Sequence, residues 1–124
     1  HEIKGYMGFA SDVIKIKNDL ITFLLEKYKA GKKVIAYGAA AKGNTFLNYA
    51  GIKNDMIQFV VDNAKTKQGK YMPGSKIPIY SPNALEGIND ASILILPWNI
   101  AEEISELIQG NEAYTAIPSL RKIK

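Results

Sequence analysis

The stretch Lys33-Val-Ile-Ala-Tyr-Gly-Ala-Ala-Ala-Lys-Gly-Asn-Thr45 decides how the rest of the chain is read. A β-branched run from Lys33 to Tyr37 passes into Gly38-Ala-Ala-Ala-Lys-Gly43, and Asn44 to Ala50 then has helical character and closes at Gly51. Strand, glycine turn and helix in that order open a nucleotide-binding α/β unit. Upstream, Val13, Ile16, Leu20, Phe23 or Leu24, and Tyr28 recur at helical spacing, so a leading helix is expected over 11–30, capped by Ser11 and ended by Gly31.

Downstream, Met56 to Val61 reads as a second buried strand ending at Asp62, and 63–76 as a long basic loop carrying Lys65, Lys67, Lys70 and Lys76. Ile77 to Tyr80 is expected as a third strand, placed at an edge by Pro78, with Ser81-Pro82 opening a brief helix to about Glu86. Ala91 to Leu96 gives a fourth strand. Asn99 then caps a helix over 100–109, Glu102 standing at capping-box spacing, and Ala113 to Ile117 gives a fifth strand. Continuously apolar strands separated by helices indicate an α/β fold, a Rossmann-like parallel sheet of about five strands covered on both faces, with order 3-2-1-4-5. The expected layout is a single domain over 1–124, with the α/β core over 33–118.

A length of 124 residues leaves no room for a second core, and 47% hydrophobic with 23% charged residues excludes disorder and fibrous repeats. The longest apolar runs, Ile93 to Leu96 and Ile57 to Val61, fall far short of the ~18 to 20 residues that span a bilayer. With no signal-peptide pattern at the start, the expectation is a cytoplasmic protein that meets no membrane. Absence of Cys, and a single His at position 1 that reads as a vector remnant, exclude a thiol nucleophile, disulfides and the usual structural zinc site. A net charge of +4 with a single Arg suits an anionic small molecule and argues against a nucleic-acid partner.

Ligands of such sheets bind outside the carboxyl ends of the strands, at the switch point between strands 1 and 4. That rule selects Gly38 to Thr45, Asp62 with its loop, and Pro97-Trp98-Asn99. Gly38 permits the tight turn, the three alanines Ala39 to Ala41 keep it small, and Gly43 lets the helix pack close to its strand, leaving N–H groups at a positive helix end suited to a phosphate; a tight packing turn is the plainer alternative. Lys42 can neutralise a diphosphate, and Asn44 and Thr45 can hydrogen-bond it or a sugar hydroxyl; a solvated lysine with two capping groups is the plainer alternative. Asp62, 24 positions after Gly38, stands where an acid accepts from a ribose hydroxyl or caps a turn. Trp98 can stack on a base or sugar or fill the core, and the basic loop with Tyr71 can fold over an anion or be plain surface. The turn is neither G-x-G-x-x-G nor a Walker A loop, and no isolated carboxylate pair is available for acid–base work, so the chain looks like a binding domain with no catalytic residue of its own.

Several ordered motifs together are more specific than the turn alone: Tyr37 to Thr45, Asn48-Tyr-Ala-Gly-Ile52, Phe59-Val-Val-Asp-Asn63, Lys67-Gln-Gly-Lys-Tyr-Met-Pro-Gly74, Ile77-Pro-Ile79 and Leu94-Ile-Leu-Pro-Trp-Asn99. With them the chain resembles the C-terminal domain of S-adenosylmethionine-dependent C-methyltransferases acting on nucleotide-linked deoxysugars. The resemblance covers roughly Lys33 to Pro118. It implies an intact enzyme with a zinc-binding region, a middle domain that holds S-adenosylmethionine and the catalytic base, and this third domain closing over the nucleotide-sugar. It implies deprotonation beside a 4-keto group and attack on the methyl sulfonium. It further implies Gly38, Lys42, Asn44, Thr45 and Trp98 as cleft positions, no cofactor or metal in this chain, the missing S-adenosylmethionine domain as partner, and no methyl transfer by this domain alone. Two other readings stay open at this level: a stand-alone NAD-binding oxidoreductase or regulator using Asp62, and a non-catalytic docking module.

Overall fold

The computed structural model describes residues 2–124; His1, read above as a vector remnant, lies outside the described residues. Helix α1 runs Glu2–Lys29, so Ser11 lies within the helix and does not start it. Its C-terminal end is a Schellman motif, with Lys32 N–H donating to the Lys27 carbonyl at 2.9 Å and Gly31 N–H to Tyr28 at 3.1 Å. Ile16, Leu20 and Leu24 form the buried stripe. Tyr28 does not belong to it, being 69% exposed; Lys27 takes that flank, its ammonium 5.5 Å from the Phe23 ring centroid and 5.7 Å from that of Tyr114.

Strand β1 (Val34–Tyr37) leads through the glycine turn into α2 (Ala41–Ala50), and the chain continues through β2 (Val60–Val61), β3 (Ile79–Tyr80) and β4 (Ser92–Ile95) to α3 (Ala101–Ser105), β5 (Glu112–Thr115) and β6 (Arg121–Lys122). Short 3₁₀ turns occupy Pro82–Leu85 and Trp98–Ile100. The sheet order is β3-β2-β1-β4-β5-β6, with every pair parallel except β5 and β6. The expected order 3-2-1-4-5 is therefore present, extended by one antiparallel edge strand. All four residues of β1 and of β4 are buried, as a sheet covered on both faces requires. Val34, Ala36 and Leu94 face the layer of α1 and α2 with Leu20, Leu24 and Leu47, while Ile35, Tyr37, Ile93 and Ile95 face Ala101 and Ile108.

Three expectations are corrected. The second and third strands are two residues each; the second starts late because 53–57 closes a turn with Ile57 N–H on the Lys53 carbonyl (3.2 Å), so strand-like pairing begins only at Gln58 N–H to Val34 (3.1 Å). The helix expected over 100–109 is the five-residue α3, and Asn99 lies in the preceding 3₁₀ turn without capping it. Its end tightens into i→i−3 bonds, and the Lys124 ammonium takes the carbonyls of Ser105 (3.2 Å) and Ile108 (2.6 Å). The sixth strand, Arg121–Lys122, has no apolar alternation to announce it; it forms against Tyr114 and Thr115 of β5. Ser81 does cap its 3₁₀ turn as expected, accepting from Asn83 N–H at 3.3 Å.

Candidate functional site

Parallel strands bring the segments following β1, β2 and β4 to one edge, and their close packing there depends on glycine. Gly38 has φ +90°, and a Cβ would come within 2.6 Å of Pro97 Cδ, so the turn after β1 rests on the turn after β4. Gly43, inside the first turn of α2, would place a Cβ 2.7 Å from the Leu96 Cβ; the close approach it permits is made against the residue that follows β4 and not against the strand that precedes the helix.

Asp62 braces this edge. Its carboxylate accepts the N–H groups of Ala39 and Ala64, each at 2.7 Å. The Lys67 ammonium donates to the Ala39 carbonyl at 3.0 Å and the Gln68 amide to the Asp62 carbonyl at 2.8 Å. The basic segment 63–76 is thus tied to the glycine turn, and a second fastening holds its far end. Asn44 and Asn48, one turn apart on α2, both donate to the Pro73 carbonyl at 3.0 and 2.9 Å, and Ser75 donates to Asn44 Oδ1 at 3.5 Å. Between the two fastenings the segment folds back on itself, Met72 N–H to Ile77 at 2.8 Å and Ile79 N–H to Lys70 at 2.8 Å, with Met72 and Ser75 buried.

The first turn of α2 consequently stands between two clefts. One, of about 350 Å³, is lined by Ala40, Ala41, Lys42, Leu96, Pro97, Trp98 and Asn99 and lies at the switch point between β1 and β4. The other, of about 520 Å³, lies between α2 and the basic segment, walled by Ala41, Asn44, Thr45, Lys67, Lys70 and Tyr71 above Met72 and Ile79. Both fall in the ~300 to 1,000 Å³ range of small-molecule sites. The nine positions selected from the sequence are therefore sorted. Lys42, Trp98 and Asn99 line the smaller cleft; Ala39, Asn44, Thr45 and Tyr71 line the larger; Gly38 and Asp62 line neither and hold the turn between them. Lys42 and Thr45 are exposed, Trp98 is half-buried, and Thr45 Oγ1 is bonded back to the Ala41 carbonyl at 3.0 Å. Burial, and next the Asp62 charge, push the Tyr37 hydroxyl at the end of β1 above the ordinary phenol range, which keeps it neutral.

Sequence reasoning missed Thr66, Pro73 and Asn48. The i, i+4 pair Asn44 and Asn48 on one face of α2 was the available signal. S-adenosylmethionine does not fit these residues: a sulfonium cation would face Lys42 in one cleft and Lys67 and Lys70 in the other, and Asp62, the acid that could take a ribose, lines neither cleft. Among the described residues no cluster of His, Cys, Asp or Glu could hold a metal ion, and no helix is long and apolar enough to cross a membrane.

Comparison with known proteins matches residues 1–116 to the C-methyltransferase C-terminal domain. The chain is 34% identical over 123 residues to the C-methyltransferase NovU of Streptomyces niveus; the match takes in 95% of this chain and 29% of the length of that relative. Among solved structures, the UDP-D-quinovosamine 4-dehydrogenase of Vibrio fischeri aligns with a TM-score of 0.48 and 19% identity, over 75% of this chain and 93% of that one.

Proposed function

The chain belongs to the family of C-methyltransferase C-terminal domains, and we propose that its task is to bind and orient a nucleotide-linked keto-deoxysugar for methylation on carbon by an S-adenosylmethionine-dependent enzyme. The observation that supports this reading is the pair of clefts on the carboxyl edge, with Lys42, Lys67 and Lys70 as cations and Trp98 and Tyr71 as stacking surfaces. Ammonium groups and flat aromatic faces are what a diphosphate joined to a base and a sugar ring requires. In this reading S-adenosylmethionine and the catalytic base belong to a neighbouring domain of the same cytoplasmic polypeptide, which closes over the edge. This chain supplies orientation and exclusion of water and transfers no methyl group by itself.

The test is a melting comparison of the domain with thymidine diphosphate, a thymidine diphosphate sugar, S-adenosylmethionine and NAD, repeated on Lys42→Ala. A ligand at 100 Kd stabilises by about 2.7 kcal/mol, so a shift with the nucleotide-sugar that Lys42→Ala reduces is the expected outcome. A shift with NAD alone sinks the proposal in favour of an oxidoreductase.

A further inference from the structure

We infer that the ligand is divided across α2, its nucleoside diphosphate half in the larger cleft against Tyr71 and Lys70 and its sugar half in the smaller cleft against Trp98. This rests on the nucleotide-sugar reading above and assigns the two ends of that ligand. Three observations carry it.

The clefts share Ala41 as a common wall at the first turn of α2, so an elongated molecule can lie across the turn with one end in each. Their volumes, about 520 and 350 Å³, are unequal in the sense that a nucleotide and a single sugar ring are.

The glycine turn has little to offer an anion at its start. The N–H of Gly38 is spent on the Val61 carbonyl at 2.8 Å and that of Ala39 on Asp62 at 2.7 Å. Cations for the phosphates are available from side chains on the larger cleft. Lys67 is partly committed to the Ala39 carbonyl, whereas Lys70, also on the larger cleft, has no side-chain hydrogen bond or salt bridge among the described residues.

Tyr71, 65% exposed, stands beside Lys70 over an apolar floor of Met72 and Ile79, a combination of stacking face, cation and greasy base suited to a nucleoside. The segment that presents both residues is fastened at each end, by Lys67 and Gln68 and by the Asn44 and Asn48 amides, so the cleft stands open before a ligand arrives.

The experiment is calorimetric titration of the intact methyltransferase polypeptide carrying this domain with thymidine diphosphate, uridine diphosphate and the corresponding nucleotide-sugars, on the unsubstituted protein and on Tyr71→Ala, Lys70→Ala and Trp98→Ala. Melting of each variant checks that it is folded, and Trp98→Phe serves where Trp98→Ala is not. Tyr71→Ala and Lys70→Ala are each expected to weaken the nucleoside diphosphates about tenfold, the Lys70 effect shrinking with added salt. Trp98→Ala should leave the nucleoside diphosphates within about twofold and weaken only the sugar-bearing ligands. Loss of nucleoside diphosphate affinity in Trp98→Ala with none in the other two, or equal losses in all three, overturns the division while leaving nucleotide-sugar binding intact. An unsubstituted protein that binds neither kind of nucleotide overturns the functional reading itself, and the division with it.

Discussion

At the carboxyl-end edge of the sheet the Asp62 carboxylate takes two backbone N–H groups at 2.7 Å, and at the amino-end edge the Asn111 amide accepts from Ala91 at 2.9 Å while donating to the carbonyls of Ile88 (2.8 Å) and Gln109 (3.3 Å). Each is a short polar side chain bracing the turns that enter or leave parallel strands. What surrounds them differs. Around Asn111 the turns border a notch of about 100 Å³, flanked by the solvent-exposed pair Lys32 and Asp90 at 3.4 Å, and a cleft of about 280 Å³ that Ile88, Leu107 and Gln109 also line. Around Asp62 the brace holds a turn and a basic segment apart, with clefts of about 350 and 520 Å³ on either side of α2. The same device braces turns at both edges; what sets the carboxyl edge apart is the long basic segment 63–76, which stands off α2 and leaves a cleft on each side of it.

Glycine substitutions should break this comparison with the largest effect. Gly38→Ala at the carboxyl edge meets both a left-handed backbone (φ +90°) and Pro97 Cδ at 2.6 Å, and should destabilise by about 3 kcal/mol or more, read by denaturant unfolding. A loss below about 1 kcal/mol would mean the two turns do not press on one another.

Removing the braces comes next. Asp62→Ala and Asn111→Ala each orphan backbone groups and should each destabilise by roughly 2 kcal/mol. They separate under the proposed function: only Asp62→Ala should speed amide exchange across 64–76 and, on the nucleotide-sugar proposal, weaken that binding. Equal loss of binding in both would erase the distinction between the edges. Smaller still is Gly31→Ala at the amino edge, where φ is +72° but nothing lies within 4 Å of the new Cβ; backbone conformation alone predicts about 1 kcal/mol.

The smallest effects are in pH, and they have opposite signs at the two edges. At the amino edge, hydrogen bonds from Lys122 (2.9 Å) and then the Tyr114 hydroxyl (2.9 Å) hold the Glu112 carboxyl below its ordinary range. A pKa lowered by folding contributes stability that is present above the unfolded value of about 4.5 and is lost as pH falls through the lowered value. The melting difference between Lys122→Ala and the parent protein should therefore narrow below about pH 4 and vanish at lower pH. At the carboxyl edge, burial and Asp62 raise the Tyr37 hydroxyl. A pKa raised by folding contributes stability that is fully present below the unfolded value of about 10.0 and is lost as pH rises beyond it. Tyr37→Phe should gain on the parent only in alkali; the same difference at pH 8 and pH 11 would contradict it.

Much of the fold was legible because it follows from local rules. The fully apolar runs around Ile35 and Ile93 read as strands covered on both faces, and the positions of Gly38 and Gly51 read as turn and helix end. Legibility fell where partners are distant. Met56 and Ile57 carry a strand's composition and sit in a turn, and Ala101–Ser105 passes early into i→i−3 bonds, where Lys124, far along the chain, takes the carbonyls of Ser105 and Ile108. Of the candidate site, the residues were legible as a group since all follow strand ends. That Asp62 faces backbone rather than solvent, and that Asn44 pairs with Asn48 on one carbonyl, was not, since both depend on where 63–76 folds.

By itself the sequence determined the class of sheet, its strand order through the fifth strand, the edge at which chemistry can gather and the family to which the chain belongs, because hydrophobic period, turn residues and ordered motifs are properties of the chain in one dimension. Only the tertiary structure decided that this edge holds two clefts instead of one, and which residues brace and which line. That division depends on contacts such as Gly38 with Pro97 and Pro73 with Asn48, whose members are brought together by folding and carry no mark of one another in the sequence.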